Sequence, residues 1–395
     1  MNVIVTCEYR FFRTPDQKIW TSSAFLCDFW LRYLEVFDQV IAIARVQDVA
    51  EAKTSWKRAD GNNVRFVSLP YYVGFMGLLT NAKKIRDIIG AEVRDDRALI
   101  YRVPSQSAML SHFAHRADFG HALEVVGDPY DVFNSGITNG LLDKALGWLS
   151  YHGLKRMAFS ALAACYVTKY YLQRRYPTSA GAISLGCSDI ELTESNFVKS
   201  GRHFSEPAKS LVFVGSLEQL YKGPDTAIKA VSILKKAGIE VYLTMLGGGR
   251  FLSDMQTLAI EHGCDNNIQF IGEVKHVDVI QHLDANDIFI MPSLTEGLPR
   301  ALIEAMARGL PCIASNVGGI PELLNEEFMV EPNQPQQLAD VILTLHNSPQ
   351  TLTGASEHNL QRAREYQLDK LQIQRRNFYQ SYRNLKQNHE SSSSS

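Results

Sequence analysis

The run Pro292-Ser293-Leu294-Thr295-Glu296-Gly297-Leu298-Pro299-Arg300-Ala301-Leu302-Ile303-Glu304-Ala305-Met306 places two carboxylates behind the apolar stretch Ile288–Met291. Pro299 suits the first turn of a helix, where its missing N–H costs nothing. The free N–H groups of that turn would face an anion, with Glu296 in the loop just ahead of them. Glu304 would sit nearly two turns along the helix, where a carboxylate can accept hydrogen bonds from two vicinal hydroxyls, as on a ribose. Phosphates at the helix start and hydroxyls further in are the two parts of a sugar nucleotide. The plainer reading makes Glu296 a first-turn carboxylate favoured by the helix dipole and Glu304 an exposed helical residue.

A cation for such phosphates stands upstream. Val214-Gly215-Ser216-Leu217 closes a strand-like run, and Tyr221-Lys222-Gly223-Pro224 opens a helical one. Lys222 then lies between strand and helix, where its ammonium reaches a diphosphate as a point charge. A solvated loop lysine is the alternative. Gly247-Gly248-Gly249-Arg250 repeats the arrangement after Val241–Leu246, a turn where backbone can approach a ligand closely.

Taken in order, Val214-Gly215…Lys222-Gly223, the turn at Gly247, Phe270-Ile271-Gly272, Glu296-Gly297-Leu298-Pro299…Glu304-Ala305, Gly309-Leu310-Pro311 and Val317-Gly318-Gly319 resemble the donor half of family 4 glycosyltransferases, over about Ser210 to Leu324. The resemblance implies a GT-B fold, two Rossmann-like domains facing each other across a cleft. It implies transfer of a hexose-type sugar from a nucleoside-diphosphate sugar, UDP by default, to a glycan or lipid-linked glycan acceptor with retention of configuration. On the same footing Lys222 contacts the donor diphosphate, Glu296 the transferred sugar and Glu304 the ribose. Phe270 and Ile271 line the base, and Gly297, Leu298 and Pro299 present backbone to sugar and phosphate. Many relatives carry an arginine where this chain has Ser216, so one diphosphate cation is missing. Arg300 is expected to replace it, with Arg250 as the alternative. There is no Asp-x-Asp, so neither a metal nor any cofactor beyond the donor substrate is expected. The competing readings are a catalytically silent subunit that binds a partner enzyme or a nucleotide sugar, and an epimerase or phosphorylase on the same fold.

In the first half, Asp128 of Gly127-Asp128-Pro129 ends an apolar strand, where it could orient an acceptor hydroxyl or only form a turn. It stands where relatives often carry a catalytic histidine. His112 and His115 read as structural. Arg102 with Ser105, the loop Tyr9 to Lys18 with Arg10-Phe11-Phe12-Arg13 in place of a Gly-Gly turn, and Cys187-Ser188-Asp189 are further candidates. Trp148, Tyr151, Tyr166, Tyr170 and Tyr171, interleaved with Lys144, Lys155, Arg156, Lys169, Arg174 and Arg175, suit an anionic membrane surface, or else are core aromatics and solvated cations.

The elements that must position these residues are legible as alternation. Val3–Val5, Val40–Ala44, Val64–Leu69, Leu99–Val103, Leu123–Val126 and Tyr166–Thr168 alternate with helix-like segments, and after a polar stretch from Ser188 to Lys209 the rhythm resumes. Two α/β domains with parallel sheets follow, at 1–190 and 206–365. A terminal helix at about 366–388 is expected to return to the first domain, ahead of a disordered tail at 389–395.

The chain's 395 residues exceed what one core serves. A net charge of −2 gives no bulk reason to expect nucleic acid. Six scattered cysteines read as reduced thiols in the cytosol, and the N-terminus as a buried strand without a signal peptide. No run reaches the roughly 18 apolar residues of a membrane span. The expected location is cytoplasmic, at the inner face of the membrane if the aromatic and basic surface meets lipid.

Overall fold

The computed structural model describes residues 1–22, 25–114, 119–130 and 141–393. It divides into two compact units, one of Met1–Pro129, Trp148–Cys187 and Leu371–Ser395, the other of Tyr130–Gly147 and Ser188–Lys370.

The first unit is built on strands β1 (Asn2–Arg13), β2 (Ile19–Thr21), β3 (Val40–Asp48), β4 (Lys57–Arg58), β5 (Val64–Leu69), β6 (Arg97–Val103), β7 (Ala122–Val125), β8 (Ala163–Tyr166) and β9 (Ile183–Gly186). Seven run parallel in the order β5-β3-β1-β6-β7-β8-β9, which reverses direction between β1 and β6. Helices α1 (Leu31–Leu34), α2 (Gly74–Glu92), α3 (Gln106–Ala114), α4 (Leu141–Ser160, part of this unit from Trp148) and α5 (Tyr171–Arg175) lie between them in the chain. The first half of the expected loop from Tyr9 to Lys18, up to Arg13, is instead strand. β1 continues through a register shift after Thr6 and pairs antiparallel with β2. Its aromatic residues explain this, because Phe11 is fully buried against Phe25 and Phe66, and Phe12 stacks on Trp56 at 3.9 Å.

The second unit carries β10 (Ser210–Val214), β11 (Tyr242–Leu246), β12 (Ile268–Gly272), β13 (Ile288–Met291), β14 (Cys312–Ser315) and β15 (Met329–Val330), paired in parallel in the order β12-β11-β10-β13-β14-β15. Parallel strands covered on both faces read as unbroken apolar runs, and all four residues of β13 are fully buried. Helices α6 (Pro224–Lys236), α7 (Leu252–Glu261), α8 (His276–Asp284), α9 (Arg300–Ala307), α10 (Pro335–His346) and α11 (Pro349–Ala363) accompany the sheet. In α6, Pro224 takes the first position and Lys235 and Lys236 end the helix, where cations complement its dipole. Its inner face buries Ile228, Val231 and Leu234 against Phe213, Leu243 and Met245, each large apolar side chain contributing about 1.5–3 kcal/mol.

The polar stretch from Ser188 to Lys209 is not a loose linker. Arg202 donates to the carbonyls of Arg308, Asn286 and Leu283, and Val198 N–H to that of Ala307. The final helix α12 (Leu368–Ser393) starts where Leu368 N–H meets Leu192 O at 2.8 Å. From Leu371 it belongs to the first unit, where Tyr382 Oη donates to Leu99 O at 2.8 Å and Tyr379 Oη to Glu124 at 2.5 Å. Helix runs on to Ser393, past the point where a disordered tail was expected. No Gly or Pro interrupts it, and each added residue closes one more hydrogen bond.

Candidate functional site

In the second unit the strand order reverses between β10 and β13, and ligands of such sheets bind outside the C-terminal strand ends at that point. The loops leaving these two strands hold the residues singled out by their chemistry. Lys222 Nζ lies 2.5 Å from Glu296 Oε1, with side chains 15% and 8% exposed. The same oxygen accepts from Ser293 Oγ at 3.0 Å. Leu294 N–H donates to Tyr221 O at 2.7 Å, joining one loop to the other.

Glycine makes this approach possible. Gly223 caps α6 at φ +71°, and a Cβ there would lie 2.0 Å from Pro292 O. Gly318 has φ +57°, and its Cβ would lie 1.8 Å from Glu296 O, while Gly319 N–H donates to Gly297 O at 2.7 Å. The turn carrying Glu296 and Gly297 is therefore held from below by the loop after β14.

The glycine turn after β11 joins the same group. Gly247 has φ +135°, and a Cβ would lie 1.9 Å from Gly215 O. Gly215 N–H donates to Leu246 O and Leu217 N–H to Gly248 O. Ser216 is exposed and accepts from Glu218 N–H at 3.2 Å, so it shapes the turn without bringing charge. Arg250 is tethered. Its Nε donates to Glu218 O at 3.1 Å, its N–H to Glu218 Oε2, and its guanidinium covers Phe251. Arg300, the first residue of α9 behind Pro299, is exposed, and its side chain makes no hydrogen bond or ion pair among the described residues. Phe270 packs on the core beside Met245. Ile271 is the extra residue of a register shift that brings Gly272 opposite Leu246.

Glu304 has a different setting from Lys222 and Glu296. It is half-buried and lines a small crevice with Leu192, Asn196, Val279, Leu283 and Arg308. Sequence reasoning missed Ser293, although its place three residues before Glu296 was a usable signal. It assigned no role to Gly318.

In the first unit Asp128 is committed to its neighbours. Its side chain is 1% exposed, Tyr176 Oη donates to Oδ1 at 2.5 Å, and Arg175 Nε lies 2.5 Å from Oδ2. Burial, reinforced by that carboxylate, pushes the Tyr176 phenol far up. This setting favours the turn-forming, structural reading over contact with an acceptor. Arg102 is likewise absorbed in a buried group, with Nη1 2.6 Å from Glu124 Oε2, which also accepts from Tyr33. His112 is buried 4.8 Å from the His121 ring, Cys187 is buried with its thiol toward Leu371 O, and His115 lies outside the described residues. Tyr166 is core and Tyr151 half-buried, so the interleaved aromatic run is only partly surface.

The first unit has a polar knot at its own point of strand reversal. Glu8, on β1, accepts from Tyr72 Oη at 2.5 Å, Ser105 Oγ at 2.7 Å and Ser107 Oγ at 2.9 Å, with Arg45 3.5 Å away. Ser105 was legible in the sequence, and Glu8 was not. Among the described residues no group of three His, Cys, Asp or Glu is placed to hold a metal ion.

Residues 196–364 match the family described as glycosyl transferases group 1. CapJ of Staphylococcus aureus is 28% identical over 369 residues, 92% of each chain. The amylovoran biosynthesis glycosyltransferase AmsK of Erwinia amylovora is 35% identical over 133 residues, 31% of this chain and 33% of AmsK. Sucrose-phosphate synthase from Thermosynechococcus elongatus aligns with a TM-score of 0.70 at 15% identity, covering 98% of this chain and 99% of its own. HepE of Anabaena, solved with UDP-glucose, aligns with a TM-score of 0.63 at 15% identity over 96% and 100%. The fold is GT-B.

Proposed function

We propose that the protein is a retaining hexosyltransferase of family 4 type, moving a sugar from a UDP-sugar to a hydroxyl of a glycan or lipid-linked glycan. The observation that carries this reading is the Lys222–Glu296 pair at the strand reversal, enclosed by the glycine turns at Gly223, Gly247 and Gly318, where backbone approaches backbone too closely for a side chain. HepE was solved with UDP and with UDP-glucose, which supports UDP as the carrier.

An arriving diphosphate offers Lys222 a second anion, and the ammonium then stabilises charge developing on the leaving phosphate. Glu296, relieved of part of its partner, is left to accept hydrogen bonds from the sugar hydroxyls. Glu304 accepts from the ribose. Arg300 supplies the cation that Ser216 does not. With these charges in place the leaving group requires no bound metal.

In the transfer the acceptor oxygen bonds to the anomeric carbon on the face from which UDP departs. The bond from that carbon to the β-phosphate oxygen breaks with its electron pair on the phosphate, and the departing phosphate takes the acceptor's proton. Configuration is retained, and the protein supplies no separate base.

The test is calorimetry of the intact protein with UDP, GDP and ADP and their sugar conjugates, repeated on Glu304→Ala. Selective binding of uridine nucleotides, weakened in the variant, is expected. Selective binding of guanosine or adenosine nucleotides overturns the choice of UDP, and no binding by any overturns the donor site.

A further inference from the structure

A helix that covers a sheet normally turns charged and polar residues outward. From Trp148 onward α4 turns large apolar residues outward as well. Trp148, Leu149 and Phe159 are 57%, 56% and 64% exposed, and Phe113, at the end of the adjoining α3, is 50% exposed. Successive positions 148, 152, 155 and 159 fall on one side of a helix, so these side chains share a stripe with His152, Lys155 and Arg156, all exposed. Between 144 and 160 the sequence has no Asp or Glu.

The opposite side of the helix is fully used, with Leu154, Met157 and Ala158 buried, so the apolar stripe is surplus to the core. The surface is held in shape. Gln106 donates to Ser150 at 3.3 Å between α3 and α4, and the Arg156 guanidinium lies 5.7 Å over the Phe113 ring. α2, which also lies against α3, carries a similar run, with Met76 and Leu79, and Val73 just before the helix, more than half exposed ahead of Lys83 and Lys84.

We propose that this face of the first unit rests on an anionic lipid surface, with Trp148, Leu149, Phe159 and Phe113 entering the headgroup region and Lys155 and Arg156 meeting lipid phosphates. Large apolar residues flanked by cations, with no carboxylate among them, match such a surface in both polarity and charge. The contact is adsorption, because among the described residues no helix is long and apolar enough to cross a membrane.

The experiment is co-sedimentation of the full chain with vesicles of phosphatidylcholine alone and of phosphatidylcholine with phosphatidylglycerol. Binding is expected only to the second, and should weaken with added salt. The double variant Lys155→Glu/Arg156→Glu should lose roughly tenfold or more of that binding, and Trp148→Ser/Phe159→Ser should lose it at low salt as well. Lys235→Glu/Lys236→Glu, the same charge change on the second unit, should retain it. Unchanged thermal melting of each variant separates lost contact from lost fold. Failure of the intact chain to bind anionic vesicles overturns the proposal, as does equal loss in the second-unit variant. A dimer in solution that Trp148→Ser dissociates would assign the face to a second copy of the chain and also overturn it.

Discussion

Lys222 and Glu296 are held together by two loops whose parent strands, β10 and β13, are neighbours in the sheet, and neither side chain is more than 15% exposed. Breaking a pair so enclosed is costly, because the member left behind is a poorly solvated charge without its partner. A donor diphosphate can therefore take over Lys222 without stranding it.

Removing the ammonium separates this role from a structural one. Lys222→Ala should lower turnover by about 10²–10³-fold, measured as UDP release from the sugar donor. Glu296 keeps Ser293 as a partner, so the loss of stability should stay near 1–3 kcal/mol in denaturant melts. Full turnover in this variant would remove Lys222 from the mechanism.

The compensation assigned to Arg300 yields a second expectation. Arg300→Ala should weaken UDP binding roughly tenfold or more by calorimetry. Arg250→Ala should change it far less, because that side chain is already tied to Glu218 and Phe251. Unchanged affinity in Arg300→Ala would sink the idea.

Gly318 supports the Glu296 turn from a distance in sequence. In Gly318→Ala the new methyl would occupy the place of Glu296 O, and φ +57° adds strain of about 1–3 kcal/mol. Weakened UDP binding, with the fold retained by circular dichroism, is the expected result. Wild-type affinity would show that the turn need not be held.

Asp128→Asn tests the structural reading of Asp128 against the catalytic one. It leaves Arg175 without its carboxylate, and breaking a buried pair typically costs about 3–5 kcal/mol. The melting temperature should fall while turnover at a permissive temperature changes little. A collapse of kcat without loss of stability would restore a catalytic role.

The Glu8 knot predicts a pH dependence. Burial alone would raise this carboxyl, but hydrogen bonds from Tyr72 and Ser105 and the charge of Arg45 outweigh it, and the pKa lies below its usual 4.5. A carboxylate with a lowered folded pKa contributes stability that is fully present above the unfolded value and is lost as pH falls through the folded one. Glu8→Gln should flatten the stability curve below about pH 4.5. An unchanged acid slope would show that other groups set it.

How legible all this was depended on where partners lie in the chain. Glu296, Pro299 and Glu304 stand in one continuous strand-turn-helix, and a doubly covered strand such as β13 announces itself as an unbroken apolar run. Glu8 meets Tyr72, Ser105 and Ser107 from 64, 97 and 99 residues away, so no local pattern joins them. The same distance in sequence hid Tyr176 from Asp128, 48 residues apart, and made a buried carboxylate look available. The length of β1 was obscured by Arg10 and Arg13, whose charge imitates a loop while Phe11 between them fills the core.

The strand order that brings β10 beside β13 also sets a timetable. Lys222 and Glu296 are 74 residues apart in the chain. At synthesis rates of about 5–20 residues per second, the ammonium leaves the ribosome roughly 4 to 15 s before its carboxylate. Throughout that interval the nascent second unit lacks the strand that completes its reversal, so a chain cut short there is born without the pair. The capacity to hold a charged ligand is conferred late in translation, by the same strand that closes the middle of the sheet.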